Sequence, residues 1–155
     1  MADAPLNWTA LLSRQAEVQL RGGLRRPTSD EVAAAYLAEV GELANAAKRD
    51  WAWWTKPGDR PTRREDVLAE AADVLHFWLI DANHRRRAMR GELSPHPRYA
   101  RQPLATLLAR LGRGMTSHTP EVLCAVVALY GYAPADLAAA YWQKSEVNLR
   151  RWGAA

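Results

Sequence analysis

One cysteine, Cys124, is all the thiol chemistry this 155-residue chain has, so no disulfide can form within it. Apolar neighbours on both sides place that cysteine in a core and fit a reducing cytoplasm. Long apolar runs are missing too. The longest nearly apolar stretch, Leu123 to Tyr132, is half of the ~20 residues a membrane-spanning helix needs. No basic region followed by an apolar one opens the chain, so no secretory signal is expected. Strand-like alternation, internal repeats and low-complexity segments are also absent. What remains is one all-α domain over residues 1–155, a bundle of about five to six helices. Charge of one sign does not dominate: 21 Lys and Arg against 17 Asp and Glu leave a net +4. The basic residues are mostly arginines spread along the chain, densest at His84-Arg-Arg-Arg87, with no interleaved aromatics of the kind that stack on single strands. That run reads as the exposed end of a helix, where cations suit the negative end of the dipole, and nucleic acid is not the expected partner.

The pattern that is present centres on Leu68 to Ile80, apolar on every side except at Glu70, Asp73 and His76. Positions three apart stay within roughly 60° on a helix, so the polar groups line one narrow stripe of an otherwise apolar helix. Such a helix belongs inside a protein, and two ionisable carboxylates there need a metal ion, an arginine or a shared proton. Tyr36 to Ala47 repeats the spacing with Glu39 and Glu42 in an equally apolar setting and is the natural partner. Gly41, between the two acids, weakens the helix by roughly 1 kcal/mol relative to alanine, which suggests close approach of another helix or a ligand.

Taken in order, a first helix runs from about residue 5 to Arg21, carries Gln15 and Gln19, and ends at Gly22-Gly23. Thr28 or Ser29, followed by Asp30 and Glu31, starts a second helix that runs to about Trp51. Lys48-Arg-Asp-Trp-Ala-Trp-Trp-Thr-Lys56 then breaks into a Pro/Gly loop. Trp53 or Trp54 is expected to cap the core, while rings beside basic side chains at the mouth of an acidic site would suit the base and phosphates of a nucleotide. Thr62-Arg-Arg-Glu65 reads as a capping box for the central helix, which extends to about Met89. A loop over Gly91 to Gln102 leads to helices at Pro103–Leu111 and Pro120–Tyr130, the latter capped by Thr119 with His118 at the surface. The last helix opens at Pro134. Its Lys144, Asn148 and Arg151 share one face, an arrangement that suits a phosphate next to a hydrogen-bonding base and is also that of an ordinary basic helix end.

Four carboxylates in two pairs make an all-oxygen site that selects a hard divalent cation, magnesium first, with Mn²⁺ as a substitute. A di-iron bundle would carry Glu-x-x-His on two helices, and only Asp73-x-x-His76 approximates that.

Glu39-Val-Gly-Glu-Leu, the tryptophan-rich turn ending Trp53-Trp54-Thr-Lys56, Glu70-Ala-Ala-Asp-Val-Leu-His-Phe77 and Tyr141-Trp-Gln-Lys-Ser-Glu-Val-Asn-Leu-Arg-Arg151 stand in a telling order. Together they resemble the dimeric deoxyuridine triphosphatases of the all-α, MazG-like nucleoside triphosphate pyrophosphatase superfamily. The resemblance implies Mg²⁺-dependent hydrolysis of dUTP to dUMP and pyrophosphate, with water as the nucleophile, in a cytoplasmic homodimer. It implies that Glu39, Glu42, Glu70 and Asp73 hold magnesium and that Glu39 and Glu42 are catalytic, with Glu39 nearest the attacking water. It further implies that Gln15, Phe77 and Asn148 receive the base and sugar, and that Lys56, Lys144 and Arg151 face the phosphates. The end of the chain departs from the family, running Trp152-Gly-Ala-Ala where a polar stretch is usual, which implies a less enclosed triphosphate. Two other readings stand beside this one: the same chemistry on dCTP or several triphosphates, and a non-catalytic helical dimer that binds nucleic acid or protein.

Overall fold

A computed structural model describes residues 4–152; the N-terminal three residues and the tail beyond Trp152, on which two of the expectations above partly rest, lie outside the described residues. Seven helices and no strand make up the described chain: α1 Trp8–Arg21, α2 Ser29–Ala46, α3 Lys48–Trp51, α4 Arg64–His84, α5 Leu104–Gly112, α6 Thr119–Ala128 and α7 Pro134–Trp152. The count exceeds the expected five to six because the second predicted helix breaks at Ala47, leaving Lys48–Trp51 as a separate single turn.

Helix α4 is the axis of the bundle, packing against α1, α2, α6 and α7. One broad face of it is fully buried: Val67, Ala71, Val74, Leu75, Trp78 and Leu79 are all inaccessible to solvent, while Glu70, Asp73 and Phe77 on the other side are half-buried. Each large side chain among them contributes roughly 1.5–3 kcal/mol by leaving water. The polar atoms that go in with them find partners. Trp78 packs at a tilt against Trp8 at 5.4 Å and donates its indole N–H to the Thr116 carbonyl at 2.8 Å. The Tyr36 hydroxyl donates to the Leu111 carbonyl at 3.0 Å, joining α2 to the end of α5.

Helix boundaries follow from capping chemistry. Asn7 accepts a hydrogen bond from the Ala10 amide, so α1 starts at Trp8. Leu6 before it, expected to be helical, instead accepts from the Leu93 amide at 2.8 Å, and the Trp8 amide donates to the Gly91 carbonyl at 3.1 Å. Thr28 and Glu31 form a reciprocal capping box at α2, as the sequence indicates. The one expected at Thr62 does not form: Arg63 occupies the cap position without a side-chain bond, and the Thr62 hydroxyl is buried with no protein partner. At α6 the cap is His118, not Thr119, whose hydroxyl turns back to accept from the Thr116 amide at 2.9 Å.

The central helix stops at His84 rather than Met89, and Asp81 explains the stop. Its nearly inaccessible carboxylate accepts from Arg85 at 2.7 Å and Arg87 at 3.3 Å. Arg86 takes a left-handed φ of 50°, and the Arg87 amide reaches back to the Ala82 carbonyl at 2.9 Å. The turn would strain an arginine by about 1–2 kcal/mol, which the paired charges offset.

Neither Trp53 nor Trp54 caps the core. They are 89% and 47% exposed, and Trp51 instead packs against the core, its N–H donating to the Ala44 carbonyl at 2.7 Å. Gly41 also differs from expectation, since a Cβ there would meet nothing within 4 Å in this chain.

Candidate active site

Glu39 on α2 and Glu70 and Asp73 on α4 face one another across the most extensive helix contact of the bundle. One carboxylate oxygen from each lies within 4.8 Å of the other two, and all three side chains are half-buried. Glu42, one turn beyond Glu39, is exposed and falls outside this set, although its charge acts on both Glu39 and Glu70.

Three acids this close oppose their own ionisation. Burial, then the charges of Asp73 and Glu70, pushes the Glu39 carboxyl above the usual carboxylate range. Glu70 is pushed up by burial and then by Asp73. For Asp73, burial outweighs the downward pull of Lys144, whose ammonium donates to its Oδ2 at 2.7 Å. The cluster therefore calls for positive charge, of which Lys144 supplies one unit. Three hard oxygen donors from two rigid helices fit magnesium, which binds through a few carboxylates and leaves its other positions to water and phosphate. A softer or redox metal would want nitrogen or sulfur ligands, and no His or Cys joins the set among the described residues.

One turn from Asp73 the same stripe of α4 enters a cleft of about 670 Å³ between α1, α4 and the linker that joins α1 to α2. Gln15, His76, Phe77, Ile80 and Trp152 are among its walls, and its size suits a small organic ligand. Two buried polar atoms on those walls have no protein partner, Gln15 Nε2 and His76 Nδ1. The Tyr141 hydroxyl donates to Gln15 Oε1 at 3.1 Å, which fixes the amide and leaves its N–H pair for a ligand. His76 is a neutral imidazole, pushed down to about 4 mainly by burial and further by Lys144. Its ring meets the edge of Phe77 at 5.2 Å.

Of the residues expected at a nucleotide site, Glu39, Glu70, Asp73 and Lys144 come together at the acids, and Gln15 and Phe77 at the cleft. Asn148 is nearly buried on the same face of α7 as Lys144 but is not a wall of that cleft. Arg151 is exposed and forms no ion pair among the described residues. Lys56 lies in the loop after α3, its amide bonded to Asp59 at 2.7 Å and its side chain in solvent.

Two residues escaped the sequence reading. Tyr141, which orients Gln15, sits in a buried series with Leu137, Ser145 and Asn148 at helical spacing, and polar members of such a series are the signal that marks it. Arg14 ties α1 to α7, donating to Ser145 Oγ at 2.9 Å, pairing with Glu146 and lying 5.2 Å over the Trp142 ring. No local pattern on α1 announces it.

The dUTPase family model matches residues 7–154 of the chain. Comparison with curated proteins and with solved structures gives no match.

Proposed function

From the chain's membership of the dUTPase family, we propose that it hydrolyses dUTP to dUMP and pyrophosphate with Mg²⁺. The carrying observation is the Glu39–Glu70–Asp73 triad, placed one helical turn from a cleft with an unpartnered amide donor. Magnesium would be held by Glu39, Glu70 and Asp73, with Glu42 adjacent, and would supply the charge that neutralises the phosphate chain and opens phosphorus to attack.

The chain's own residues supply the rest. Glu39, raised by burial and by its acidic neighbours, accepts a proton from the attacking water. Gln15 Nε2 donates to a carbonyl oxygen of the base, held in that orientation by Tyr141. Phe77 walls the base and deoxyribose, and burial keeps His76 uncharged beside them. Lys144, already among the carboxylates, is the cation positioned to meet phosphate. Asn148 lies four residues on from it, Arg151 seven, and Lys56 stands free on its loop. These complete the base and phosphate contacts of the proposal.

The working form is a homodimer. This reading is supported by exposed Leu20, Leu24, Leu37, Leu129 and Val147 and by the open space over Gly41. A cytoplasmic location fits the single buried thiol of Cys124, which burial pushes up to about 12 and so keeps unreactive. No helix among the described residues is long and apolar enough to cross a membrane.

Pyrophosphate release from dUTP, dCTP, dTTP and dATP in parallel tests the reaction. Release from dUTP well above the others supports it, and comparable release from several nucleotides moves the chain to the broader pyrophosphatases. No release from any would leave a non-catalytic binding module.

A further inference from the structure

We propose that the hollow between α5, α6 and the loop before α5 is a second anion site, built for an oligophosphate of pyrophosphate size. This hollow of about 250 Å³ is walled by Arg98, Tyr99, Arg110, Arg113, His118 and the start of α6, and shares no residue with the acidic triad or the base cleft.

Its cations have no carboxylate partners: among the described residues, Arg98, Arg110 and Arg113 have no carboxylate within 4 Å. The basic pocket beside α3 differs, because there Arg49 pairs with Asp59 while Arg60 and Arg63 pair with Asp66. Three like charges around one hollow favour an anion between them, and guanidinium forks match phosphate oxygens two at a time.

The hollow is also organised. Arg110 Nε donates to Gln102 Oε1 at 2.9 Å, and Gln102 Nε2 donates to the Arg98 carbonyl at 3.0 Å. Tyr99 is nearly buried beneath two guanidinium groups, those of Arg110 at 5.7 Å and Arg98 at 5.9 Å from its ring centre. His118 packs at a tilt near the same ring at 6.2 Å, and Glu121 holds its Nδ1 at 2.7 Å, which fixes the ring as a wall of the hollow. Size selects among phosphates. At about 250 Å³ the hollow is smaller than the roughly 300–1,000 Å³ of sites for drug-sized molecules, a size that suits a short phosphate chain.

Calorimetric titration of the full chain with sodium pyrophosphate in excess chelator is the test. Without metal the carboxylate triad repels pyrophosphate, so the outcome is independent of the proposed hydrolysis. The expected result is saturable binding of one pyrophosphate per chain, weakened at least tenfold by the pair Arg98→Gln and Arg113→Gln and unchanged by Glu39→Gln. Both arginines are exposed, and melting curves confirm that the double variant folds. No saturable binding, or binding that the double variant retains, overturns the proposal. So does dUTP, or a short single-stranded oligonucleotide, binding tenfold tighter than pyrophosphate through the same arginines, since the site would then be built for a nucleotide or a nucleic acid.

Discussion

Replacing Glu39 by glutamine should make the metal-free protein more stable and the enzyme inactive. With carboxylate oxygens within 4.8 Å of one another, a like-charged pair at an effective dielectric near 20 costs about 3.5 kcal/mol. Half-burial admits solvent screening, and the Lys144 ammonium already offsets part of the repulsion, so the net relief is nearer ~1 kcal/mol. For a domain of this size that raises the melting temperature by roughly 2–4 °C in chelator. Magnesium should raise the wild-type melting temperature by mass action and raise that of Glu39→Gln far less. Turnover of dUTP should fall at least a thousandfold while far-ultraviolet circular dichroism is unchanged. Scanning calorimetry with and without Mg²⁺, beside a pyrophosphate assay, reads all of this. A Glu39→Gln protein less stable than wild type in chelator, equally responsive to magnesium and normally active would refute the electrostatic reasoning and the site together.

Other consequences are open to direct measurement. The folded-state value of His76, about 4, lies below its ordinary 6.5, so the unfolded chain binds more protons between those values. This contribution to stability is complete above pH 6.5 and lost as pH falls towards 4, by roughly 2 kcal/mol at pH 5. Urea titrations at pH 7.5 and 5 should show a smaller fall for His76→Gln than for wild type. Gln15→Met removes the amide donor together with the acceptor of the buried Tyr141 hydroxyl, and should lower kcat/KM for dUTP about 10–100-fold and stability by about 1–3 kcal/mol in urea unfolding. Thr28→Ala, which breaks the capping box of the helix that carries Glu39, should cost about 1 kcal/mol in urea unfolding.

Helical periodicity announced α4 and its acidic stripe because burial on most sides leaves few polar positions, and those few then share a face. The triad was legible for the same reason: acids three apart on an apolar helix have few structural uses. Glu42 kept the spacing but not the burial, since it faces solvent on the single chain. The tryptophans misled because composition cannot say which of three neighbouring rings turns inward; Trp51 does so because its N–H finds a carbonyl on α2. The early end of α4 was hidden in Asp81, whose pairing with Arg85 and Arg87 works through a left-handed turn that sequence patterns assign to glycine or asparagine. Tyr141 and Arg14 act between α1 and α7, well over a hundred residues apart in the chain; the buried polar series on α7 marks Tyr141 but not its partner, and nothing local marks Arg14.

The central claim is that Glu39, Glu70 and Asp73 hold the magnesium that dUTP hydrolysis needs. Pyrophosphate release from dUTP as free Mg²⁺ is raised from zero in a metal buffer tests it most directly. The account predicts no release in excess chelator, a saturable rise with magnesium, and loss of that rise in Asp73→Asn. Equal rates with and without chelator, or an undiminished rise in Asp73→Asn, would contradict it.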